Sequence, residues 1–310
     1  MKRKTITILL AAAMTMTMLA GCGSGAGDAS AEDTGAASQD SAGNAGEDSQ
    51  EGADSADAAE DGGQETAAAE PDTTYGTSQE GRFVVGFDQE FPPMGFVGDD
   101  GEYTGFDLAL AEEVAKRLEL EFVPQPISWD AKDMELSSGT IDCIWNGFTM
   151  TGREEDYTFS EPYLDNRQVF VVYADSDISS SADLAGKIVE VQADSSAEAA
   201  LEENPELSGT FGTLQTVPDY NTAMMDLEQG AVDAIAMDEV VAAYQIQDKE
   251  SQFRILDEEI SSEEYAVGFL KGNEKLRDNV QQVLQEMADD GTIAEISTEW
   301  FGSDITTFAK

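Results

Sequence analysis

The chain has 310 residues, with 16 Lys+Arg against 64 Asp+Glu, no histidine and two cysteines, and a formal net charge of -48. This charge argues against binding nucleic acid or anionic lipid through a basic face. Without histidine, Ser-His-Asp catalysis, Cys-His catalysis and His-ligated zinc are excluded. Two cysteines also exclude a disulfide framework and a thiolate metal cluster. We expect an acidic protein with no catalytic residue, no metal and no cofactor.

The N-terminus has the pattern of an export signal. The basic run Lys2–Lys4 precedes an apolar run, Ile6–Leu19, that is too short for a comfortable membrane span. It ends in Leu19-Ala20-Gly21-Cys22, which closely resembles the lipobox of bacterial lipoproteins. The resemblance implies a signal peptide over residues 1–21 and a diacylglycerol on the sulfur of Cys22. The alternative is an ordinary secretory signal with an incidental cysteine, and either form lies outside the cytoplasm.

Residues 22–81 have the composition of a spacer. After Cys22 they are mostly Gly, Ala, Ser, Asp and Glu, with no Lys or Arg. Such a segment buries too little apolar surface to offset the entropy of ordering it. We predict a disordered, self-repelling tether. A cation-binding tail is the alternative interpretation.

The globular part begins as an α/β fold. An apolar strand from Arg82 to Gly86 is followed by an amphipathic helix, a second strand at Phe122, a polar helix from Trp129 to Gly139 and a third strand at Ile141. This βαβαβ pattern predicts a mostly parallel sheet flanked by helices. Ligands of such sheets bind at the carboxyl ends of the strands. Four residues that follow two of these ends should therefore converge: Asp88, Phe91, Trp145 and Arg153.

The loop after the Ile141 strand collects the side chains of an anion site. It carries Trp145, Asn146, Thr149, Thr151 and Arg153. An arginine donates two parallel hydrogen bonds to a carboxylate, and hydroxyls and loop amides can complete the grip. A strand followed by a polar surface loop is the alternative interpretation.

A second α/β pattern follows the apolar run Val169–Tyr173, which predicts a strand leaving the first sheet. A strand begins at Ile188, and Ser195 and Ser196 then stand where it meets a helix. The free amides and positive dipole end of a helix N-terminus suit an anion. Simple N-capping by a serine is equally consistent with the pattern.

The rest of the chain predicts two further strands and a helix. Val232–Met237 reads as a strand ending at Asp238, whose carboxylate either holds an ammonium group or starts the next helix. Tyr265–Leu270 predicts one more strand. A final helix follows, with an apolar stripe formed by Leu276, Val280, Val283, Leu284 and Met287.

From Arg82 to Gly302 the chain resembles the bacterial extracellular solute-binding proteins of family 3, the polar amino acid receptors of ABC importers. The similar segments are Gly86–Pro93, Gly105–Asp107, Ser138–Asp142, Phe159–Tyr163, Asp183–Lys187, Gly230–Ala234 and Asp290–Gly302. The resemblance implies a two-lobed periplasmic-binding-protein-like (type II) fold with two crossover hinge strands. Lobe 1 would comprise residues 82–170 plus 266–310, and lobe 2 residues 171–265.

The resemblance also implies which residues hold the head group of an amino acid. Arg153 would bind the α-carboxylate and Asp238 the α-ammonium group. Thr149 and the backbone near Asn146 would contact the same head group.

The same resemblance implies the remaining ligand contacts. Ser195 and Ser196 would reach the carboxylate from lobe 2. Asp88 and Phe91 would line the side-chain pocket, with Phe91 as an aromatic wall. Trp145 is less typical of the family and would be a second wall.

The chain departs from the family pattern at two places. Only Gly152 separates Thr151 from Arg153, where many members have two residues, so the register of the arginine is in question. Asp194 stands where glycine is common. Its negative charge near the carboxylate contacts requires that it face solvent or contact a basic side chain.

The ligand side chain is harder to predict. Asp88, Glu90, Trp129 and Asp130 place acids and aromatics near the expected pocket, which favours basic amino acids and glutamine ahead of cystine. Cys143 reads as an inert core thiol.

The resemblance implies a monomer that is lipid-anchored through Cys22 at the extracytoplasmic face of the membrane. Its partners would be a polar L-amino acid and an ABC transporter permease, and not nucleic acid. One alternative is an exported cyclohexadienyl-type dehydratase, with Asp88 or Glu90 as the general acid or base. Another is a structural surface protein with a vestigial cleft.

Overall fold

The computed structural model describes residues 74–309. The predicted signal peptide, Cys22 and most of the predicted tether lie outside this range. The last residues of the predicted tether, 74–81, pack onto the globular part. Thr77 is buried, and Ser78 donates hydrogen bonds from its backbone N and its Oγ to Asp142 over 2.5 and 2.6 Å. These contacts attach the segment to the fold, so the prediction of disorder is wrong for residues 74–81.

The secondary structure alternates between strands and helices. The elements of the first half are β1 Arg82–Phe87, β2 Glu90–Phe91, β3 Gly95–Val97, β4 Tyr103–Thr104, α1 Phe106–Arg117, β5 Glu121–Pro126, α2 Lys132–Ser138, β6 Cys143–Ile144, β7 Tyr157–Phe159 and β8 Leu164–Tyr173. Those of the second half are β9 Ile188–Gln192, α3 Ser196–Glu203, α4 Pro205–Ser208, β10 Thr213–Val217, α5 Tyr220–Glu228, β11 Ala234–Asp238, α6 Glu239–Ile246, β12 Phe253–Tyr265, β13 Gly268–Leu270, α7 Glu274–Asp289 and α8 Thr292–Phe301.

The first sheet has five strands in the order β5-β1-β6-β13-β7. β1 pairs in parallel with β5 and β6, and β13 is antiparallel to β6 and β7. β1 is buried from Phe83 to Phe87, because both faces of a parallel sheet are covered. The predicted βαβαβ start is confirmed. A three-stranded sheet, β2-β3-β4, lies outside this main sheet.

The second sheet has five strands in the order β10-β9-β11-β8-β12. β9 is parallel to β10 and β11, whereas β8 is antiparallel to β11 and β12. The predicted strand Tyr265–Leu270 is confirmed over Gly268–Leu270, but its predicted start is wrong, because Tyr265 ends the separate 13-residue strand β12. The sequence of β12 contains few apolar residues and so gives little sign of a strand. The strand forms because its backbone pairs with β8, which is distant in sequence.

Each large sheet with its helices forms one lobe. We call the lobe of the first sheet lobe 1 and that of the second sheet lobe 2. The chain passes from lobe 1 to lobe 2 through β8 and returns through β12, so these paired strands are the two crossover hinge strands. The lobe boundaries given above, at residues 170 and 265, stay predictions.

The observed helices can be compared with those predicted from the sequence. α7 buries its predicted stripe, Leu276, Val280, Val283, Leu284 and Met287. The predicted helix from Trp129 to Gly139 is a short 3-10 turn, Trp129–Ala131, followed by α2, which ends at Gly139 with a left-handed φ of 75°. Within residues 74–309 no helix has both the length and the apolar character needed to cross a membrane.

Candidate functional site

Residues of both lobes enclose a small central cavity of about 10 Å³. Lobe 1 lines it with Phe91, Trp129, Asn146, Gly147, Thr149 and Arg153, and lobe 2 with Gln192, Ser195, Ser196 and Asp238. This volume is about that needed for one water molecule. A ligand the size of an amino acid therefore enters only when the two lobes separate.

The loop after β6 approaches the cavity through a glycine. Gly147 has a left-handed φ of 57°, and a Cβ there would lie 2.9 Å from Tyr265 and 3.0 Å from Phe91. Only glycine fits this position without displacing both rings. The close approach places Asn146 and Thr149 at the cavity beside Phe91. The Phe91 ring packs on Tyr220 of lobe 2, with 6.0 Å between centroids.

Arg153 has free hydrogen-bond donors at the cavity. Its Nη1 donates to the carbonyl of Thr149 over 3.3 Å, and its guanidinium lies 5.1 Å from the Phe148 ring centroid. Within residues 74–309 it forms none of the ion pairs, which engage other arginines. Its remaining donors can bind a carboxylate. The short spacing after Thr151 does not keep Arg153 from the cavity.

The two serines of lobe 2 are both tied into the protein. Ser195 caps α3, accepting a hydrogen bond from the N of Glu198 over 3.1 Å. Ser196 Oγ accepts one from Gln168 Nε2 over 2.9 Å. The capping interpretation of Ser195 is therefore correct, and both serines also line the cavity.

Asp238 belongs to a buried polar network at the hinge strands, which we call the hinge cluster: Asn166, Gln168, Asp238, Glu263 and Tyr265. Tyr265 donates its hydroxyl to Asp238 Oδ1 over 2.5 Å, and Gln168 Nε2 donates to the same oxygen over 2.8 Å. Although Asp238 precedes α6, its side chain makes no capping hydrogen bond. The carboxylate is held towards the cavity instead.

Glu263 is the second acid of the hinge cluster. Its Oε1 accepts from Gln168 Nε2 over 2.8 Å and from Asn166 Nδ2 over 2.6 Å, and its Oε2 accepts from Thr149 Oγ1 over 3.0 Å. Asn166 also donates to Asp238 over 3.1 Å. The same two amides thus bridge both carboxylates.

The hinge cluster has two acids and no basic partner. Asp238 is 3% exposed and Glu263 is 5% exposed. Burial, and then the charge of Glu263, raise the pKa of Asp238 well above its ordinary value. In the part of the chain that the structure describes, no lysine or arginine forms an ion pair with either acid. A bound cation would neutralise the buried negative charge of this cluster.

Asp88 lies behind the cavity lining rather than on it. Its carboxylate accepts hydrogen bonds from Gln192 Nε2 over 2.7 Å and from the N of Glu90 over 2.9 Å. Burial raises the pKa of Asp88 to about 6, opposed by these hydrogen bonds. The contact with Gln192 joins lobe 1 to lobe 2. Glu90 makes a second such contact, accepting from Asn221 Nδ2.

Lys132 and Asp194, which we call the edge pair, form an ion pair between α2 of lobe 1 and the loop after β9 of lobe 2. The Lys132 side chain is 3% exposed and that of Asp194 is 56% exposed. Trp129 Nε1 donates to the carbonyl of Asp194 over 3.1 Å. Asp194 has a left-handed φ of 58°, a conformation that glycine adopts most easily. Asp194 therefore contacts a basic side chain, one of the two expected arrangements.

Trp145 and Cys143 belong to the core. Trp145 is fully buried and packs on Tyr163, with 6.2 Å between centroids. The structure does not bring it to the cavity, because the chain turns only after it, at Asn146 and Gly147. Cys143 is buried and unpaired, and burial raises the pKa of its thiol well above the ordinary value.

Sequence reasoning missed Glu263, Gln168 and Gln192. Glu263 stands in an acidic stretch with the composition of a surface loop, and Gln168 precedes the apolar run that predicted β8. Gln192 ends β9 and is close in sequence to Ser195, a predicted site residue, so its place at the site could have been predicted. Among residues 74–309 no group of three or more acidic or cysteine side chains is arranged to hold a metal ion.

Comparisons with known proteins point to one family. Residues 83–303 match the bacterial extracellular solute-binding proteins, family 3. The L-cystine-binding protein TcyJ of Escherichia coli (strain K12) is 34% identical over 231 residues, covering 74% of this chain and 85% of TcyJ. The arginine-binding extracellular protein ArtP of Bacillus subtilis (strain 168) is 28% identical, covering 74% and 92% of the two chains. The crystal structure of an ABC uptake transporter substrate-binding protein from Streptococcus pneumoniae with bound histidine has a TM-score of 0.71 and 36% identity, covering 73% and 94%.

Proposed function

The chain belongs to the bacterial extracellular solute-binding proteins, family 3, and we propose on this premise that it captures a polar L-amino acid between its lobes and delivers it to an ABC importer permease. The protein is exported by the signal peptide, residues 1–21. It is anchored at the extracytoplasmic face of the membrane by a lipid on Cys22. The tether is the part of the predicted segment 22–81 that precedes residue 74, since residues 74–81 pack onto the fold. It works as a monomer.

One observation carries this proposal: the central cavity has Arg153 on one side and, on the other, Asp238, which is hydrogen-bonded into a cluster with a second acid, Glu263. Arg153 makes no ion pair, and the hinge cluster contains Asp238 and Glu263 without a basic partner among residues 74–309. An α-amino acid has a carboxylate and an ammonium group on one carbon. It would satisfy both sides at once.

The remaining contacts follow from the lining of the cavity. Arg153 binds the α-carboxylate, assisted by Thr149 and the backbone at Asn146, and by Ser195 and Ser196 from lobe 2. Asp238 binds the α-ammonium group.

The ligand side chain lies towards Phe91, with Asp88 behind it. Acids and amides around this region favour a side chain that donates hydrogen bonds, as in basic amino acids and glutamine. Relatives named for cystine and arginine, and a similar structure with bound histidine, leave the choice within this polar class to experiment. Trp129, on the cavity lining, supplies the second aromatic wall in place of Trp145.

Lobe 1, residues 82–170 plus 266–310, and lobe 2, residues 171–265, close on the ligand by a hinge motion. The contacts between lobes described above, Asp88 with Gln192 and Lys132 with Asp194, form in the closed arrangement.

A thermal-shift screen tests this function. The chain from Gly23 to its end is heated with each common L-amino acid, with cystine and with prephenate. A ligand that binds only the folded protein raises the melting temperature by mass action. We expect a rise with one or a few polar amino acids, lost in Arg153→Ala.

Arg117→Ala is the matched control, because Arg117 forms its ion pairs, with Glu113 and Asp290, away from the cavity. It should keep the ligand-dependent rise. No rise with any amino acid, or conversion of prephenate during the assay, would overturn the proposal in favour of the dehydratase. Asp88 has a raised pKa suited to acid–base catalysis but does not line the cavity, so no observation favours that alternative.

A further inference from the structure

Glu263 faces the space that the ligand would occupy. It lines a second cavity of about 150 Å³ that shares Thr149, Arg153 and Ser196 with the central cavity. Its neighbour Glu264 is exposed, because successive residues of a strand point to opposite faces. The strand β12 thus directs one acid of this pair into the protein beside Asp238 and the other into solvent.

The two buried acids of the hinge cluster are surrounded by neutral hydrogen-bond donors. The tyrosine, the amides and the hydroxyl that bond to them carry no charge. Other titratable and charged groups face the pair from the elements around it: Tyr265 and Glu259 on β12, Tyr220 on α5, Glu203 on α3, Asp165 on β8, Asp88 after β1, Arg153 after β6, and Arg167 and Glu239, which pair with each other. Burial raises the pKa of both tyrosines well above the ordinary value, so both stay neutral.

A further buried acceptor in the same cluster lacks a partner. Gln168 is fully buried, and within residues 74–309 its Oε1 accepts no hydrogen bond. If the Gln168 amide were flipped, its oxygen would face both carboxylates in place of the nitrogen. The flipped orientation is therefore unfavourable. Asp238 and Glu263, which line the two adjoining cavities, are therefore the two acceptors that a ligand can reach. A primary ammonium group has enough N–H donors to bond to both carboxylates.

We propose that Glu263 is a second carboxylate of the ammonium site, and that without ligand Asp238 and Glu263 hold one proton that the ligand's ammonium group displaces. The inference rests on the proposed function and deepens it. Two adjacent buried carboxylates cannot both ionise without a cation. When the ammonium group enters, its N–H donors replace the shared proton, which passes to the solvent.

This arrangement has consequences for affinity and selectivity. Because a proton competes with the ligand, affinity rises with pH over the range in which the pair is protonated, by up to about tenfold per pH unit. A ligand without an ammonium group cannot replace the proton. The site therefore selects α-amino acids over their deaminated analogues.

Titration calorimetry tests the proton directly. The chain from Gly23 to its end is titrated at pH 6.5 with L-glutamine, L-arginine and L-cystine in turn, in phosphate and in Tris. The difference in heat between buffers counts the protons released. We expect about one proton released per ligand bound. In Glu263→Gln the release should fall, because the charge of Glu263 no longer raises the pKa of Asp238, and the affinity should fall about tenfold, since one charge-assisted hydrogen bond is lost.

Two control variants assign the proton. Glu264→Gln removes the neighbouring exposed acid and should release as many protons as the wild type. Asp88→Asn removes the other carboxyl near the cavity with a raised pKa, and it tests whether that carboxyl, rather than the pair, releases the proton, whatever the variant does to affinity. If the release disappears in Asp88→Asn rather than in Glu263→Gln, the inference is overturned.

The calorimetry gives a different result when the inference about the proton fails than when the receptor function itself fails. Binding without proton release by the wild type overturns the shared proton and leaves the receptor function intact. Binding of none of the three amino acids overturns the receptor function and this inference with it.

Discussion

The edge pair and the hinge cluster place charge between the lobes in opposite ways. In the edge pair, Lys132 of lobe 1 meets Asp194 of lobe 2, so the charges neutralise each other. In the hinge cluster, Asp238 and Glu263 meet each other with no base among the described residues. The first contact is complete in itself and holds the lobes together. The second becomes complete only with a proton or a cation, and so it suits a ligand.

Asp107 shows that burial without a cation is not enough to make a ligand site. Its Oδ2 accepts hydrogen bonds from the N of Gly147 over 2.5 Å and from Tyr163 over 2.8 Å. It is fully buried in the core and does not line the central cavity. Burial raises its pKa from 3.8 to about 7. Only a proton can neutralise it there, whereas a ligand can also reach the hinge cluster.

The largest predicted effect concerns this unpaired core acid. Because the folded-state pKa of Asp107 lies above the unfolded value, its contribution to stability is complete at low pH. It is lost as the pH rises from 3.8 to about 7. A shift of this size corresponds to roughly 4 kcal/mol in the free energy of unfolding. Urea unfolding at several pH values should show a smaller loss in Asp107→Asn, which keeps the accepting oxygen.

Glu112→Gln is the control for Asp107→Asn, since Glu112 is an exposed acid on the same helix. It should follow the wild-type pH dependence. Parallel curves for Asp107→Asn and the wild type would show that Asp107 titrates normally.

The next effect separates ligand binding from stability at the hinge cluster. Asp238→Asn should weaken amino acid binding by about 3 kcal/mol, since a buried partner of the ammonium charge is lost. Without ligand, the same variant should melt at a higher temperature than the wild type, because folding no longer requires a proton on an acid that ionises freely in the unfolded chain. Calorimetry and thermal melts measure the two quantities. A variant that binds normally, or that melts lower without ligand, would mean that Asp238 is only structural.

Asp194→Asn tests the edge pair and should have a smaller effect. Asparagine tolerates the left-handed φ of 58°, so the variant removes the charge and keeps the backbone. Losing a contact of the closed form should weaken binding by about 1 kcal/mol, since the Asp194 side chain is 56% exposed and water screens the pair. Added salt should weaken wild-type binding more than binding to the variant. Equal salt dependence would show that the pair does not support closure.

The same contrast explains what the sequence could predict. The strand β1 and the stripe of α7 are marked by local apolar patterns, and both were predicted correctly. β12 is not marked, because its acids carry no periodic apolar signal and its pairing with β8 decides its conformation. Glu263 could not be distinguished from Glu264 for the same reason, since only the register against β8 determines which acid is buried.

For the edge pair, the sequence predicted two alternatives for Asp194 and did not decide between them. The sequence showed that Asp194 needed solvent or a basic partner, and Lys132 lies 62 positions away. The fold brings them together because α2 and the loop after β9 meet across the cleft. Trp145 was misjudged in a related way. Trp145 does precede the loop that lines the cavity, as the sequence indicated. The turn at Gly147, however, brings only residues from Asn146 onwards to the cavity.

The smallest predicted effect isolates one hydrogen bond beside the edge pair. Trp129→Phe removes the indole donor to the Asp194 carbonyl while keeping a ring against Phe148, which lies 5.7 Å away between centroids. A single neutral hydrogen bond contributes about 1 kcal/mol or less, so the dissociation constant of the amino acid should rise by a few-fold. If Trp129→Phe weakens binding more than Asp194→Asn does, then Trp129 acts mainly on the ligand, and the edge pair contributes less to closure than its charges suggest.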